Sequence, residues 1–378
     1  MMRDQRELAE LLRRGGMTTV AYVDGRGPRP QTEEEVARDA VTDRLRELGA
    51  DERDVTAIAQ ALLRTEGAPS PSARYLLARD GRLEVDEIFA GPRLGSERFA
   101  RTPLPEILPL LRHLARDVRY LVVETGREGA EVRLERGERH EAERVEDIEG
   151  RSDSLTKVQA GGWSHARYQR SAEEVWKHNQ SEVAEAVDRI VAERRPAFLV
   201  LAGDVRARQV LRDRLGEAAR RMLTEYDAHT RADGADDEGL TRLLSDLAER
   251  CIRDEIESAI DRARAGDGES GAEGVDAVLV ALQQARVDVL VLDARLSEDG
   301  RTLLALDAQP WISRDEHHEF DASPLGRVPI AEGLARAALL TGARVLVREE
   351  EFGSPDEPRA ETKPLEPIAA LRWSGAGQ

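Results

Sequence analysis

The stretch Lys157-Val158-Gln159-Ala160-Gly161-Gly162-Trp163-Ser164-His165-Ala166-Arg167-Tyr168-Gln169-Arg170, running on to Trp176-Lys177-His178-Asn179, sets the reading of the whole chain. Two consecutive glycines give the backbone a freedom that no residue with a Cβ has, and the cations and aromatic rings around them are the side-chain types that meet phosphates and stack on bases. The combination describes a narrow basic tip at the head of a helix. Charge elsewhere has the opposite sign. The chain carries a formal net charge of -18, yet neither Asp nor Glu occurs between Asp153 and Glu173, and two of its three lysines, Lys157 and Lys177, fall here. Charge pattern alone also fits a solvated loop leading into an ordinary amphipathic helix.

With 378 residues the chain has room for two or three domains, each able to bury a core. Charged residues make up 34% and aromatics 4%, so the cores must be built from Leu, Val and Ala. The opening residues, Met1 to Glu7, carry no apolar signal segment, and no uncharged apolar run is long enough to span a bilayer, which leads us to expect a cytoplasmic protein without a membrane partner. Cys251 sits in the helical pattern Leu247-Cys251-Ile252-Ile256, where packing explains it, and a single cysteine excludes an internal disulfide. Affinity for nucleic acid grows with the number of phosphates neutralised, so an acidic chain with one basic element would touch RNA there and escape capture elsewhere.

Along the chain the pattern alternates. A helix from about Asp4 to Arg14 ends at Gly15-Gly16, and the β-branched run Thr18 to Val23 reads as a strand. Thr32 and Glu35 have capping-box spacing ahead of a helix reaching Leu48, and a second helix covers about Asp54 to Leu63. Strands are expected at Tyr75 to Ala78 and Leu83 to Phe89, then a helix over Leu104 to Leu114. Tyr120 to Val123 and Ala130 to Leu134 form a hairpin around Gly126 to Gly129, and the basic stretch leads into a helix over about Ser171 to Glu193. Phe198 to Leu201 is a buried strand whose Ala202-Gly203-Asp204 turn opens a helix, with Asp204 as an ordinary N-cap or, alternatively, facing a phosphate. Ala232 to Gly239 reads as a loop and Ala265 to Gly271 as a linker. Beyond it, helices over Val275 to Ala285 and Ile330 to Leu340 alternate with strands at Val287 to Leu292, Thr302 to Leu306, Arg344 to Val347 and Ile368 to Trp373. The fold class is α/β, and the breaks suggest domains at 1–115, 116–265 and 266–378.

No Walker loop, dinucleotide fingerprint or Gly-x-Ser-x-Gly elbow occurs. His317-His318, between Glu316 and Glu319, lacks a third ligand at defined spacing, so no metal and no cofactor is expected. His165 and His178 could titrate near the arm, and serve equally as RNA or helix-surface contacts.

The run Gly161-Gly162-Trp163-Ser164-His165-Ala166-Arg167-Tyr168-Gln169-Arg170 resembles the peptidyl-transferase-centre loop of the eukaryotic and archaeal class I release factors, members of a superfamily that includes Pelota; that loop has a Gly-Gly-Gln-Ser-Ala-x-Arg-Phe-x-Arg pattern leading into a helix. Gly161, Gly162, Ser164, Arg167, Tyr168 and Arg170 match by position, and His178-Asn179 with Val183-Ala184-Glu185 match after a one-residue shift. The preceding hairpin and Leu201-Ala202-Gly203 are similar to the family's middle domain, and Val275 to Leu292 is similar to the opening of its L7Ae/L30e-like third domain. The resemblance spans about Val118 to Trp373 and is strongest to the bacterial and archaeal branch that includes the ribosome-hibernation factor Balon.

It implies a three-domain, release-factor-like architecture and a monomer that binds the 70S ribosome. The arm would then meet 23S rRNA at the peptidyl-transferase centre and the first domain would approach the decoding region. Lys157, Gly161, Gly162, Trp163, Ser164, His165, Arg167, Tyr168, Arg170, Lys177, His178 and Asn179 would form the rRNA-binding set. Elongation factor Tu or another translational GTPase would be a partner. One departure is decisive: Trp163 stands where release factors carry the Gln that positions the hydrolytic water. An indole donates a hydrogen bond but offers no amide carbonyl. The expected role is therefore hibernation or protection in the ribosomal A site, with peptidyl-tRNA hydrolysis as the alternative.

Overall fold

A computed structural model describes residues 5–25, 31–64, 71–126, 129–137, 142–149, 164–227, 237–265, 269–316, 320–349 and 363–373. In chain order the first segment holds α1 (Gln5–Arg13), β1 (Thr18–Gly25), α2 (Gln31–Glu47), α3 (Glu52–Leu62), β2 (Ser72–Arg79), β3 (Arg82–Ala90), β4 (Arg98–Thr102) and α4 (Leu108–Arg116). The middle holds β5 (Arg119–Thr125), β6 (Gly129–Arg136), β7 (Arg144–Glu149), α5 (Ser164–Arg194), β8 (Leu199–Gly203), α6 (Val205–Arg214), α7 (Glu217–Arg221), β9 (Leu223–Glu225) and α8 (Asp237–Arg264). The last segment holds β10 (Gly271–Glu273), α9 (Val275–Gln283), β11 (Val287–Asp293), a 3-10 turn (Ala294–Glu298), β12 (Thr302–Leu306), β13 (Ile312–Ser313), β14 (Pro324–Pro329), α10 (Ile330–Leu340), β15 (Arg344–Arg348) and β16 (Ile368–Leu371). The fold is α/β. It divides into two compact units, Met1–Arg116 with Ile252–Gln378, and Asp117–Cys251.

In the discontinuous unit, β3-β2-β1-β4 form an antiparallel sheet whose central strands β1 and β2 are buried on both faces. Side chains alternate across a strand, so Ala21 and Val23 of β1 pack with Ile58 and Leu45, while Val20 and Tyr22 turn to the opposite core. That opposite core is shared by distant parts of the sequence: Leu8, Leu11 and Leu12 of α1, and Leu110 and Leu111 of α4, belong to one cluster with Leu334, Ala338 and Val345. A second, mixed sheet, β10-β16-β11-β15, leaves β15 at its edge. The Gln5 side chain closes that edge, donating from Nε2 to the Val345 carbonyl at 2.7 Å and accepting the Val345 N–H on Oε1 at 2.8 Å. β13-β12-β14 make a small third sheet. The β2–β3 turn fits the two-residue hairpin rule: Asp80 at φ 52° and Gly81 at φ 77° both take the left-handed conformation that matches strand twist.

The contiguous unit is a five-stranded sheet, β7-β6-β5-β8-β9, with β5, β8 and β9 parallel. Val183, Val187, Ile190 and Val191 of α5 cover one face with Leu211 and Leu215; Leu240, Leu247 and Ala248 of α8 pack with Tyr120, Val122 and Phe198.

Most expected elements occur within a turn of their sequence-based limits, and five corrections stand. α5 begins at Ser164, seven residues earlier than the apolar periodicity indicated, because the sequence of residues 164–170 has no apolar repeat to detect. Thr32 lies inside α2, which opens at Gln31, and so is not its cap. The charged run after the hairpin contains β7, whose Arg144-Val145-Glu146-Asp147-Ile148-Glu149 lacks period-two alternation. Asp237 to Gly239 open α8, and Gly271 opens β10, although both stretches read as loop or linker. The remainder of the Ala232 loop lies outside the described residues, as do Gly266, Asp267 and Gly268.

Candidate functional site: the root of the basic arm

Lys157, Gly161, Gly162 and Trp163 lie outside the described residues. Ser164, His165, Arg167, Tyr168, Arg170 and Lys177 fall on the backbone of α5, which continues through His178 and Asn179. At about 1.5 Å per residue, this 31-residue helix is roughly 46 Å long. The described structure therefore fixes how the arm is rooted.

The root is a polar lock at the carboxyl ends of β5 and β8. Gln180 is fully buried. Its Oε1 accepts from Thr125 Oγ1 at 3.1 Å and its Nε2 donates to the Gly126 carbonyl at 3.0 Å. A buried amide makes such bonds or loses about 1–3 kcal/mol, so the pairing fixes both the rotation and the height of α5 against the sheet. Thr125 is itself gripped from the other side: the Asp204 N–H donates to its carbonyl at 3.0 Å, and Gly203, at φ +104°, approaches so closely that a Cβ there would stand 2.1 Å from the same oxygen. No other residue fits that position without moving the strand. Asp204 then caps α6, its Oδ1 accepting from the Arg206 and Ala207 N–H groups, which is the ordinary N-cap reading of the turn.

Next to Gln180, Asn179 is buried and His178 is exposed, with His178 Nε2 3.3 Å from Glu182 Oε1 one helical turn on. The structure thus separates two neighbours that the sequence grouped together. His178 faces solvent, while Asn179 belongs to the interior.

Two buried or half-buried arginines around this sheet, Arg208 and Arg133, had no sequence signal. Arg208 of α6 is 2% exposed, bonding Asp227 at 2.8 Å and Glu225 at 3.4 Å, and Arg212 shares Glu225 at 3.1 Å. These bonds tie α6 to β9 and the residues that follow it. Arg133 of β6 donates to Glu124 and Glu135 at 2.8 Å each and also to Glu131. The three carboxylates hold its guanidinium above the usual arginine range despite partial burial. Gln180 was findable: it occupies the stripe of Val183, Val187 and Ile190, and a polar residue on a core stripe announces a buried hydrogen bond.

Among the described residues no group of three His, Cys, Asp or Glu side chains could hold a metal, and no helix is long and apolar enough to cross a membrane. His317 and His318 lie outside the described residues.

Residues 119–269 match the family described as bacterial archaeo-eukaryotic release factor family 2, and the matched segment contains the basic arm and the root just described. The chain is 25% identical over 307 residues to two uncharacterized proteins of Mycobacterium tuberculosis, MT2704 and Rv2629, with 80% of each chain covered. Among solved structures it is similar to the archaeal translation termination factor aRF1 (16% identity, 98% and 99% coverage, TM-score 0.27). It is also similar to Archaeoglobus fulgidus Pelota (17% identity, 81% and 80% coverage, TM-score 0.38).

Proposed function

We propose that the protein is a ribosome-binding translation factor that occupies the A site of the 70S ribosome and directs its Gly-Gly-Trp arm toward 23S rRNA at the peptidyl-transferase centre. The observation that carries this reading is the family match over residues 119–269, which takes in an arm retaining Gly161, Gly162, Ser164, Arg167, Tyr168 and Arg170 but bearing Trp163 at the Gln position. In this reading Gly161 and Gly162 permit close backbone approach, Lys157, Arg167, Arg170 and Lys177 neutralise phosphates, and Trp163 and Tyr168 stack on bases. Without the amide carbonyl, the arm fills the centre instead of placing water, and the outcome is hibernation or protection. The division into 1–115, 116–265 and 266–378 is part of the proposal, with the first domain toward the decoding region and elongation factor Tu or a related GTPase as the delivering partner.

Co-sedimentation with 70S ribosomes across a salt series tests it. Wild type should bind with a steep salt dependence, and Arg167→Glu/Arg170→Glu should lose that binding. Failure of wild type to bind vacant or translating ribosomes, with and without a translational GTPase, would sink the reading. Peptidyl-tRNA hydrolysis is the second reading, favoured by the retained glycines and arginines of the loop. Single-turnover peptide release at saturating factor separates the two: no release from wild type, and gain of release in Trp163→Gln, would favour occupancy.

A further inference from the structure

A cavity of about 90 Å³ opens within the discontinuous unit, between the 94–112 region and the start of α10. At about 30 Å³ per water this is room for roughly three waters, or for the few heavy atoms of a small organic molecule. Its walls carry charges of both signs. Arg98 of β4, Glu106 just before α4 and Glu298 at the end of the 3-10 turn all line it. Among the described residues none of these three side chains makes a hydrogen bond or an ion pair, in a protein whose other half-buried arginines are almost all matched to carboxylates or carbonyls.

The floor is rigid. Glu332 accepts from the Ile107 and Leu108 N–H groups at 2.9 Å each, and Arg112, also lining the cavity, is engaged by Glu349 and by the Leu94 carbonyl. These groups are hydrogen-bonded, whereas Arg98, Glu106 and the exposed Glu298 act on their neighbours only through space, Arg98 on Glu106 and Glu332 and Glu298 on Arg112. Partial burial already pushes the Glu106 carboxyl up from its ordinary range, with Arg98 as the opposing influence. A carboxylate without a hydrogen-bonded partner in such a place gains from a cationic donor, and such a guanidinium from an anionic acceptor.

We infer that this cavity binds a small zwitterion of the α-amino acid class, its carboxylate on Arg98 and its ammonium on Glu106 and Glu298. Ser96 and Ser297, which also line the cavity, add hydroxyl groups beside these charges. The ligand would bridge residues 94–106 and 297–298, segments about two hundred positions apart, and so tighten the unit that they share. This site is independent of the arm and of any ribosomal role.

The test is thermal unfolding and titration calorimetry of the full chain with glycine and L-alanine, beside methylammonium and acetate as half-ligands. Glycine or alanine should raise Tm in a concentration-dependent way and give a calorimetric isotherm, while each half-ligand alone gives at least tenfold weaker binding. Arg98→Gln and Glu106→Gln should each abolish the shift. Glu298→Gln, on the opposite wall, serves as the independent variant should either destabilise the fold. An unchanged wild-type Tm with no isotherm overturns the inference. So does a shift that persists in the variants, or one reproduced by methylammonium or acetate alone.

Discussion

Two regions of the molecule bury charge by opposite means. On the β5–β6 hairpin, Arg133 is surrounded by the carboxylates of Glu124, Glu131 and Glu135. On α10 the buried ionisable groups meet backbone instead: Glu332 takes the N–H groups of Ile107 and Leu108, and Arg336 donates to the carbonyls of Leu306 and Trp311 at 3.1 and 3.3 Å, with its guanidinium 6.0 Å from the Trp311 ring centre. The consequences for ionisation differ in sign. Arg133 is held above its usual range by carboxylates that outweigh partial burial, whereas burial lowers Arg336 to about 10 with only Asp307 opposing. Burial likewise pushes Glu332 up to about 8, against the pull of its two N–H bonds. A carboxylate cluster secures one side chain. An ionisable group bonded to backbone secures a chain segment, and α10 uses two of them to position the start of α4 and the end of β12.

Glu332 should give the largest effect of the three side chains. Glu332→Ala leaves two buried N–H groups unpaired and should cost roughly 3 kcal/mol in urea unfolding, loosening α4 in hydrogen exchange before the rest of the unit. The same residue gives a pH signature. Its folded value lies above the ordinary 4.5, so the folded state holds the proton across the window from about 4.5 to about 8. Stability from this group is therefore full below that window, falls as pH rises through it, and levels off above it. Glu332→Gln should remove that slope; an unchanged slope would mean that another group carries it. Arg336→Met should come next, at about 2 kcal/mol, because the Leu306 carbonyl loses its guanidinium donor and the Trp311 carbonyl is left with the Leu306 N–H alone, while the aliphatic volume is kept. Arg133→Met should cost least, about 1 kcal/mol, since the side chain is 23% exposed and solvent can serve the three carboxylates. Pairing Arg133→Met with Glu131→Gln should recover part of that loss, whereas no second substitution at a carboxylate should rescue Arg336→Met.

How far the sequence discloses such features depends on whether they leave a periodic trace. The β5–β6 hairpin, β8 and its Asp204 cap, α9 and α10 are legible because apolar period and turn residues agree along each segment. β4, β7, β13 and β14 are not, being short, charged or edge strands whose pairing is set by partners elsewhere. The arm is legible as a motif of residue types. Its root is half legible: Gln180 marks itself by breaking an apolar stripe, but the Thr125 hydroxyl that meets it has no local mark. Nothing in the order of residues places Ile107 beside Glu332, or Gln5 beside Val345, because those pairings depend on packing between segments more than two hundred positions apart.

The Gln5 bond to Val345 also has a bearing on how the chain is made. Leu8, Leu11 and Leu12 bury themselves in a core completed by α10 and β15, and Gln5 closes an edge strand whose residues are translated about 340 positions later. Residues Asp117 to Cys251, by contrast, form a unit contiguous in sequence. Synthesis runs from the N-terminus and closing distant contacts is slow, so the middle of this protein can reach its final fold while its beginning still waits for its end.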